Sequence, residues 1–270
     1  MTPPPLTDRA ALTRNRRRAR RDALFLHDEA VFEVQERLLA VNRQFTKPAI
    51  VTPFAEIWRD LLPGARIVAD DELLDLAPGA HDLVIHALGL HWANDPVGQL
   101  VQCRRALQPD GLLMAFTLGG QTLHELRASL AGAEAALTGG LSPRVLPMGE
   151  IRDLGALLQR AGLALPVADG FTRTASYRDM FHLMADLRAM GETNALTERL
   201  RHPTRRSLFV DAARRYAESF ATADGRITAS FEVICLTGWA PHESQQKPLR
   251  PGSAIARLED ALKAATKQGG

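Results

Sequence analysis

The sequence predicts an α/β fold built on a doubly wound, Rossmann-like parallel sheet. Leu83–Leu88 form a continuous apolar run, which is typical of a central parallel strand buried on both faces. A helix over Asp95–Leu107, a turn at Pro109-Asp110-Gly111 and a strand over Leu112–Thr117 follow, and this order makes a compact crossover unit. A long strand over Ile227–Trp239 comes late in the chain, so we expect an antiparallel strand at the edge of the sheet.

The remaining elements extend this alternation on both sides of the central unit. Leu26, Ala30, Val34 and Leu38 recur every four residues, which predicts an amphipathic helix over about residues 22–44. Further strands and helices alternate along the chain, and two helices are inserted before the last strand. The strands are Ala49–Thr52, Ala65–Ala69 and Leu165–Tyr177, and the helices are Phe54–Leu62, Gly119–Ala136, Met148–Ala161, Tyr177–Met190 and about 205–221.

The composition is that of a chain able to bury one large core. Of the 270 residues, 46% are hydrophobic and 24% are charged, which is ordinary for a globular domain. Two cysteines, Cys103 and Cys235, are too few for a disulfide scaffold or a four-cysteine zinc site, and they fit a reducing compartment. No apolar run approaches the ~20 residues that a membrane-spanning helix needs.

Positive charge is concentrated near the start of the chain, although the formal net charge is only +2. This block favours a disordered arm over residues 1–21, ahead of a main domain at 22–255 and a C-terminal tail at 256–270. The alternatives are contact with nucleic acid or anionic lipid, or an organellar transit peptide; the mildly acidic remainder argues against nucleic acid. The arginines of the arm are Arg9, Arg14, Arg16, Arg17, Arg18, Arg20 and Arg21.

Two groups of motifs carry a resemblance to a known family. The stretches Asp82–Trp92 and Arg104–Gly111 resemble the fourth-strand, fourth-helix and fifth-strand signature of class I S-adenosylmethionine-dependent methyltransferases. Motifs of the C-terminal half resemble the NADH:ubiquinone oxidoreductase complex assembly factor 5 family, which is itself similar to the biotin-pathway malonyl carrier-protein methyltransferase. These motifs are Gly119–Arg127, Leu141-Ser142-Pro143, Asp153–Leu158, Met190–Asn194 and Gly238–Pro248.

The resemblance implies an unusual activity for a methyltransferase fold. The mitochondrial member of that family is associated with hydroxylation of an arginine on an iron–sulfur subunit of respiratory complex I during assembly. By resemblance, a complex I subunit is the expected partner and no nucleic acid is expected. A bacterial member would lie in the cytoplasm near the inner membrane, and a eukaryotic member in the mitochondrial matrix.

The loop that holds S-adenosylmethionine in such folds is missing its glycines. Glycines after the first strand let the backbone approach the cofactor, but the segment Pro48–Ile57 contains none. Pro53 removes a backbone donor and Phe54 adds bulk at this place. These substitutions make S-adenosylmethionine a doubtful cofactor.

The spacing before the central strand is also too short for the whole fold. About 20 residues separate Ala49 from Asp70, enough for one crossover where the family has two. We therefore expect that one β-α unit has been deleted, together with the acid that binds the ribose. By resemblance, Asp70 matches the position that often faces the adenine amino group, and the candidate cofactor-binding residues are Asp70, Ala87 and Leu88.

His91, Trp92 and His242 are the candidate catalytic residues. His91 and Trp92 follow the central strand, at the carboxyl edge where ligands of α/β folds bind, although packing and helix capping explain them equally well. His242 follows the last strand and, with His91, His182 or Asp70, could form a metal site of two histidines and one carboxylate. No spacing enforces that geometry, so structural hydrogen bonding is favoured and no metal is assigned.

Three functions remain open from the sequence. The chain is an enzyme that modifies a protein arginine, a non-catalytic pseudo-methyltransferase that acts as an assembly chaperone, or an S-adenosylmethionine-dependent methyltransferase of another substrate. The methyltransferase-like scaffold supports all three, and the absent glycine loop counts against the last.

Overall fold

The computed structural model describes residues 4–246. The tail predicted at residues 256–270 lies outside the described residues. The six strands are β1 (Pro48–Val51), β2 (Arg66–Val68), β3 (His81–Ala87), β4 (Leu107–Leu118), β5 (Ala164–Tyr177) and β6 (Ile227–Trp239). The α-helices are α1 (Arg9–Arg16), α2 (Phe25–Val41), α3 (Ala55–Trp58), α4 (Pro96–Ala106), α5 (His124–Thr138), α6 (Ile151–Arg160), α7 (Met180–Ala189) and α8 (Arg206–Phe220). No helix in this range is long and apolar enough to cross a membrane.

One mixed sheet organises the chain, in the order β2-β1-β3-β4-β6-β5. β1 to β4 run parallel, which confirms the doubly wound α/β fold predicted from the sequence. β6 pairs antiparallel with both β4 and β5, so this edge of the sheet is antiparallel, as predicted. The outermost strand is β5, and the late strand β6 lies next to it. β5 lies at the edge, and α7 and α8 are inserted between β5 and β6.

The sheet is abbreviated on its β2 side, as the short spacing predicted. A single crossover through α3 connects β1 to β2, and the chain then reaches β3 without another described helix or strand. α3 is only four residues long, and β2 is three. This side of the sheet therefore has one strand outside β1.

Two apolar layers cover the sheet and follow the alternation of side chains along each strand. Val84 and Leu113 face one layer, which contains α4 and α6. Ile85 and Met114 face the other, which contains α2, α5 and α8. Because both faces are covered, β3 is buried almost throughout, as its continuous apolar run predicted.

The arginine-rich segment forms a packed helix, where the sequence predicted a disordered arm. Asp8 caps α1 by accepting a hydrogen bond from the Ala11 N–H, and Leu12 is 1% exposed. The strand-like segment before α1 pairs with residues 195–197 through backbone hydrogen bonds. These contacts are remote in sequence, so the local charge block gave no sign of them.

Candidate functional site

The carboxyl ends of β1 to β4 meet at one edge of the sheet, where ligands of such folds bind. Asp70 lies two residues after β2, and Ala87 is the last residue of β3. Leu88 has a positive φ of 50° and turns the chain into a short 3-10 helix that carries His91 and Trp92. Ala87 and Leu88 are both buried, and their contact with a cofactor stays a prediction.

In the loop after β1, the backbone donors form hydrogen bonds within the protein and Phe54 is buried. The Thr52 N–H donates to the Val68 carbonyl, Pro53 has no N–H, and the Phe54 N–H donates to the Thr52 hydroxyl. Phe54 is buried against the ring of His27, with 5.1 Å between the ring centroids. Within residues 52–54 no backbone N–H is therefore left free to hold a cofactor.

His27 and Trp58 complete the packing behind this loop. The Trp58 indole N–H donates to Nδ1 of His27 over 3.2 Å, and Trp58 is fully buried. Burial lowers the pKa of His27 to about 3, so its imidazole is neutral at physiological pH and accepts this hydrogen bond. The pair is a structural support rather than a titrating group.

Arg16 forms a buried ion pair with the carboxylate of Asp70. Its Nη1 atom lies 2.9 and 2.8 Å from the two carboxylate oxygens, and both side chains are less than 10% exposed. Arg9 adds a hydrogen bond from Nη2 to the Asp70 carbonyl over 2.6 Å. Gly89 is needed here, because a Cβ atom on residue 89 would lie 2.6 Å from Oδ2 of Asp70.

This arrangement does not fit S-adenosylmethionine. β2 is the strand next to β1, so Asp70 lies after the strand whose acid binds the ribose in this fold. The sequence predicted that this acid was deleted; the structure places an acid there, but Arg16 holds its carboxylate. The glycine-free loop and the Arg16–Asp70 pair line an open pocket of about 400 Å³. The pocket has no glycine-rich cradle, and the carboxylate in its wall is already paired with Arg16, so it lacks the groups that would hold a nucleoside.

His91 and Trp92 both bind Glu192, a residue that the sequence analysis did not single out for function. The Trp92 indole N–H donates to Oε2 of Glu192 over 2.6 Å, and Nε2 of His91 lies 3.4 Å from the same oxygen. Burial alone would raise the pKa of Glu192, but the hydrogen bond from His91 and the charge of Arg16 lower it to about 2. Glu192 is therefore ionised at physiological pH. The motif Met190–Asn194 contained this residue, and only the fold shows that it reaches Trp92.

An apolar cavity of about 220 Å³ opens beside this carboxylate, between the sheet edge and helices α5, α7 and α8. Glu192 and Trp92 lie in its wall, together with leucine, methionine and phenylalanine side chains. A concave apolar site with a few polar groups is the usual form of a ligand site. The cavity lies at the edge where the sequence predicted function, but the predicted residues form only a small part of it.

His242 lies at the opposite end of the strands, away from the carboxyl ends of β1 to β4. β6 ends beside the start of β4, because Trp239 pairs with Leu112. His242 follows this end; it is exposed, and its Nδ1 lies 2.7 Å from the Ser244 hydroxyl. The hypothesis of a metal site that joins His242 to His91 or Asp70 is therefore wrong, and no group of three possible ligands occurs within residues 4–246.

Comparison with known proteins relates the chain to one family. A family model for a methyltransferase domain matches residues 33–115. The mitochondrial arginine-hydroxylase NDUFAF5 of Danio rerio is 37% identical over 202 residues, which cover 75% of this chain and 63% of that protein. The human NDUFAF5 protein is 40% identical over 72% of this chain and 56% of its own length. A malonyl-[acyl-carrier protein] O-methyltransferase from Gallionella capsiferriformans is 30% identical over 76% of this chain and 68% of its own length.

The chain spans about 60% of the length of the NDUFAF5 proteins from zebrafish, rat and mouse. Among solved structures, a protein from Bacillus halodurans assigned as a methyltransferase superposes with a TM-score of 0.50 at 14% identity. This match covers 77% of this chain and 98% of that protein. At this identity the match supports the fold alone.

Proposed function

Because the chain belongs to the methyltransferase-fold family that contains NDUFAF5 and the malonyl-[acyl-carrier protein] O-methyltransferases, we propose that it is an assembly factor of respiratory complex I. Its activity is the modification of an arginine on an iron–sulfur subunit, and it does not use S-adenosylmethionine. We thereby extend the name of the arginine hydroxylases to a relative that aligns with about 60% of their length.

The observation that carries the proposal is the Arg16–Asp70 pair at the sheet edge. A methyltransferase needs an open carboxylate and a backbone cradle for the nucleoside of its cofactor. Here Arg16 holds the carboxylate, and Phe54 is buried where the cradle would open. The methyltransferase fold is present, but the Asp70 carboxylate and the Phe54 N–H interact with other residues of the protein instead of a cofactor. Methylation of a carrier protein is therefore disfavoured.

The identities favour the same choice between the two named groups. The NDUFAF5 proteins match at 37–42% identity, whereas the carrier-protein methyltransferases match at 30–36%. The structure also has an apolar cavity beside an ionised carboxylate, which suits recognition of a side chain of another protein.

Localisation follows from the proposed client. Complex I assembles at the inner membrane, so the chain acts in the cytoplasm at that membrane in a bacterium, or in the matrix in a mitochondrion. Arg14, Arg17 and Arg18 are exposed on and just after α1, and in residues 4–246 they form no ion pair. These charges suit peripheral contact with an anionic membrane surface.

The test is deletion of the gene in its own organism, followed by complementation. We expect loss of NADH–quinone reductase activity and of the assembled complex in membranes, with both restored by the wild-type gene. Mass spectrometry of the iron–sulfur subunit should show one arginine that has gained an oxygen atom, only when the gene is present. Normal complex I in the deletion strain would refute the assembly role. Restored assembly with an unmodified arginine would refute the enzymatic role and favour a chaperone.

A further inference from the structure

The cavity beside Glu192 has apolar walls and one charged end. Its walls include Leu118, Leu130, Met184 and Phe231, contributed by the sheet, α5 and α7. Its volume of about 220 Å³ exceeds the ~150 Å³ of an engineered apolar cavity that holds a benzene molecule. The space is therefore sufficient for a long aliphatic side chain.

Glu192 presents a free acceptor to this space. Its Oε2 atom receives the hydrogen bonds from Trp92 and His91, whereas its Oε1 atom accepts none within the described residues. The side chain is 17% exposed, and Oε1 is not among the buried polar atoms that lack a partner, so it is accessible from the cavity. Because one oxygen of this carboxylate is fixed by hydrogen bonds, the other oxygen is oriented to accept a hydrogen bond from a ligand.

Within residues 4–246 no arginine or lysine forms an ion pair with Glu192. The charge of Arg16 lowers the pKa of Glu192, but Nη1 of Arg16 is directed at Asp70. Arg144 also lines the cavity, but it is paired with Glu134. Arg188 also lines the cavity, and its side chain is exposed. The neighbouring His91 and His27 add positive charge only when protonated.

A ligand that matches this cavity has an aliphatic stem and a cationic end. We propose that the cavity receives the side chain of an arginine from a client protein, with Oε1 of Glu192 accepting from its guanidinium group. That this arginine belongs to a client protein rests on the proposed function. That the cavity binds a guanidinium group rests on the cavity and on Glu192, and the names of the relatives say nothing of either. A planar guanidinium suits a carboxylate better than an ammonium group does, because it donates two parallel hydrogen bonds.

The experiment measures binding of short capped peptides to the full chain through tryptophan fluorescence. Trp92 lies in the cavity wall and donates to Glu192, so a ligand at Glu192 changes its emission. The probes are glycine-arginine-glycine and glycine-norleucine-glycine peptides, which share an aliphatic stem and differ in the cationic end. We expect saturable binding of the arginine peptide and at least tenfold weaker binding of the norleucine peptide. Equal binding of the two would overturn the proposal.

Glu192→Gln supplies the decisive variant, since it keeps the shape and removes the charge. Loss of one charge-assisted hydrogen bond weakens the arginine peptide about ten- to a hundredfold. The matched control is Glu243→Gln, at an exposed position beyond β6, which should bind as the wild type does. Unchanged affinity in Glu192→Gln would overturn the proposal.

A second variant keeps the test decisive if Glu192→Gln unfolds. Val145→Phe adds bulk to the cavity wall at a half-buried position and leaves Glu192 in place, so it should abolish binding of the arginine peptide. Retained binding in Val145→Phe would place the ligand elsewhere and refute the proposal. Peptide binding can fail while complex I assembly still depends on the gene, so failure of this inference is distinct from failure of the proposed function.

Discussion

Replacement of Arg16 by methionine should destabilise the fold strongly, because it leaves the Asp70 carboxylate buried without its main partner. Arg16 is 9% exposed and Asp70 is 7% exposed, so solvent screens this pair little. Removal of one partner of a buried ion pair costs about 3–5 kcal/mol. Arg9 stays 3.8 Å from Oδ2 of Asp70 and offsets part of the loss, so we expect the lower end, about 3 kcal/mol. For a domain of this size that lowers Tm by roughly 6–12 °C.

The assay is urea unfolding of four proteins: the wild type, Arg16→Met, Asp70→Asn and the double variant. Since Asp70→Asn removes the uncompensated charge, the double variant should be more stable than the sum of the two single losses predicts. A change of less than about 0.5 kcal/mol for Arg16→Met would place the pair at the solvated surface. A cycle without coupling would refute the conclusion that Arg16 holds the Asp70 carboxylate.

Three further predictions follow from the packing around the site. Phe54→Ala should lower the free energy of unfolding by about 3–5 kcal/mol, measured in urea, and it should not create S-adenosylmethionine binding in calorimetry, because Arg16 still holds Asp70. Gly89→Ala should cost about 1–3 kcal/mol, since the added methyl group meets the Asp70 carboxylate; a neutral result would mean that Asp70 moves freely. Hydrogen bonds from Arg144 and Ser142 lower the pKa of Glu134 to about 2 from an unfolded value of 4.5. Its stabilisation is therefore complete above pH 4.5 and is lost as the pH falls towards 2, and Glu134→Gln should flatten acid unfolding in that range while Glu243→Gln should not.

The central fold could be predicted because local patterns and tertiary packing agree there. Asp95 caps α4 and Pro96 begins it, and the Leu83–Leu88 run became β3 shifted by one to two residues. β5 was predicted to within one residue, although it is an edge strand with many half-exposed positions and a weak alternation of polarity. α1 was missed, because Leu12 is buried only through contacts with residues far along the chain.

The positions of His91 and Trp92 in the fold could be predicted, but the residues that contact them could not. His91 and Trp92 were located correctly at the sheet edge, since a loop after a central parallel strand must lie there. Glu192 and Arg16 could not be assigned, because each reaches the site from an element that is remote in sequence. The sequence shows their charges, whereas their burial and pairing depend on how α1 and the segment after α7 pack over the sheet.

Our central claim is that the chain's own residues take up the carboxylate and the backbone donor that would bind the cofactor. Isothermal titration of the full chain with S-adenosylmethionine tests it directly, with a carrier-protein methyltransferase relative as the positive control. The account predicts no saturable heat from this chain at concentrations that saturate the control. Saturable binding at micromolar concentrations would contradict it.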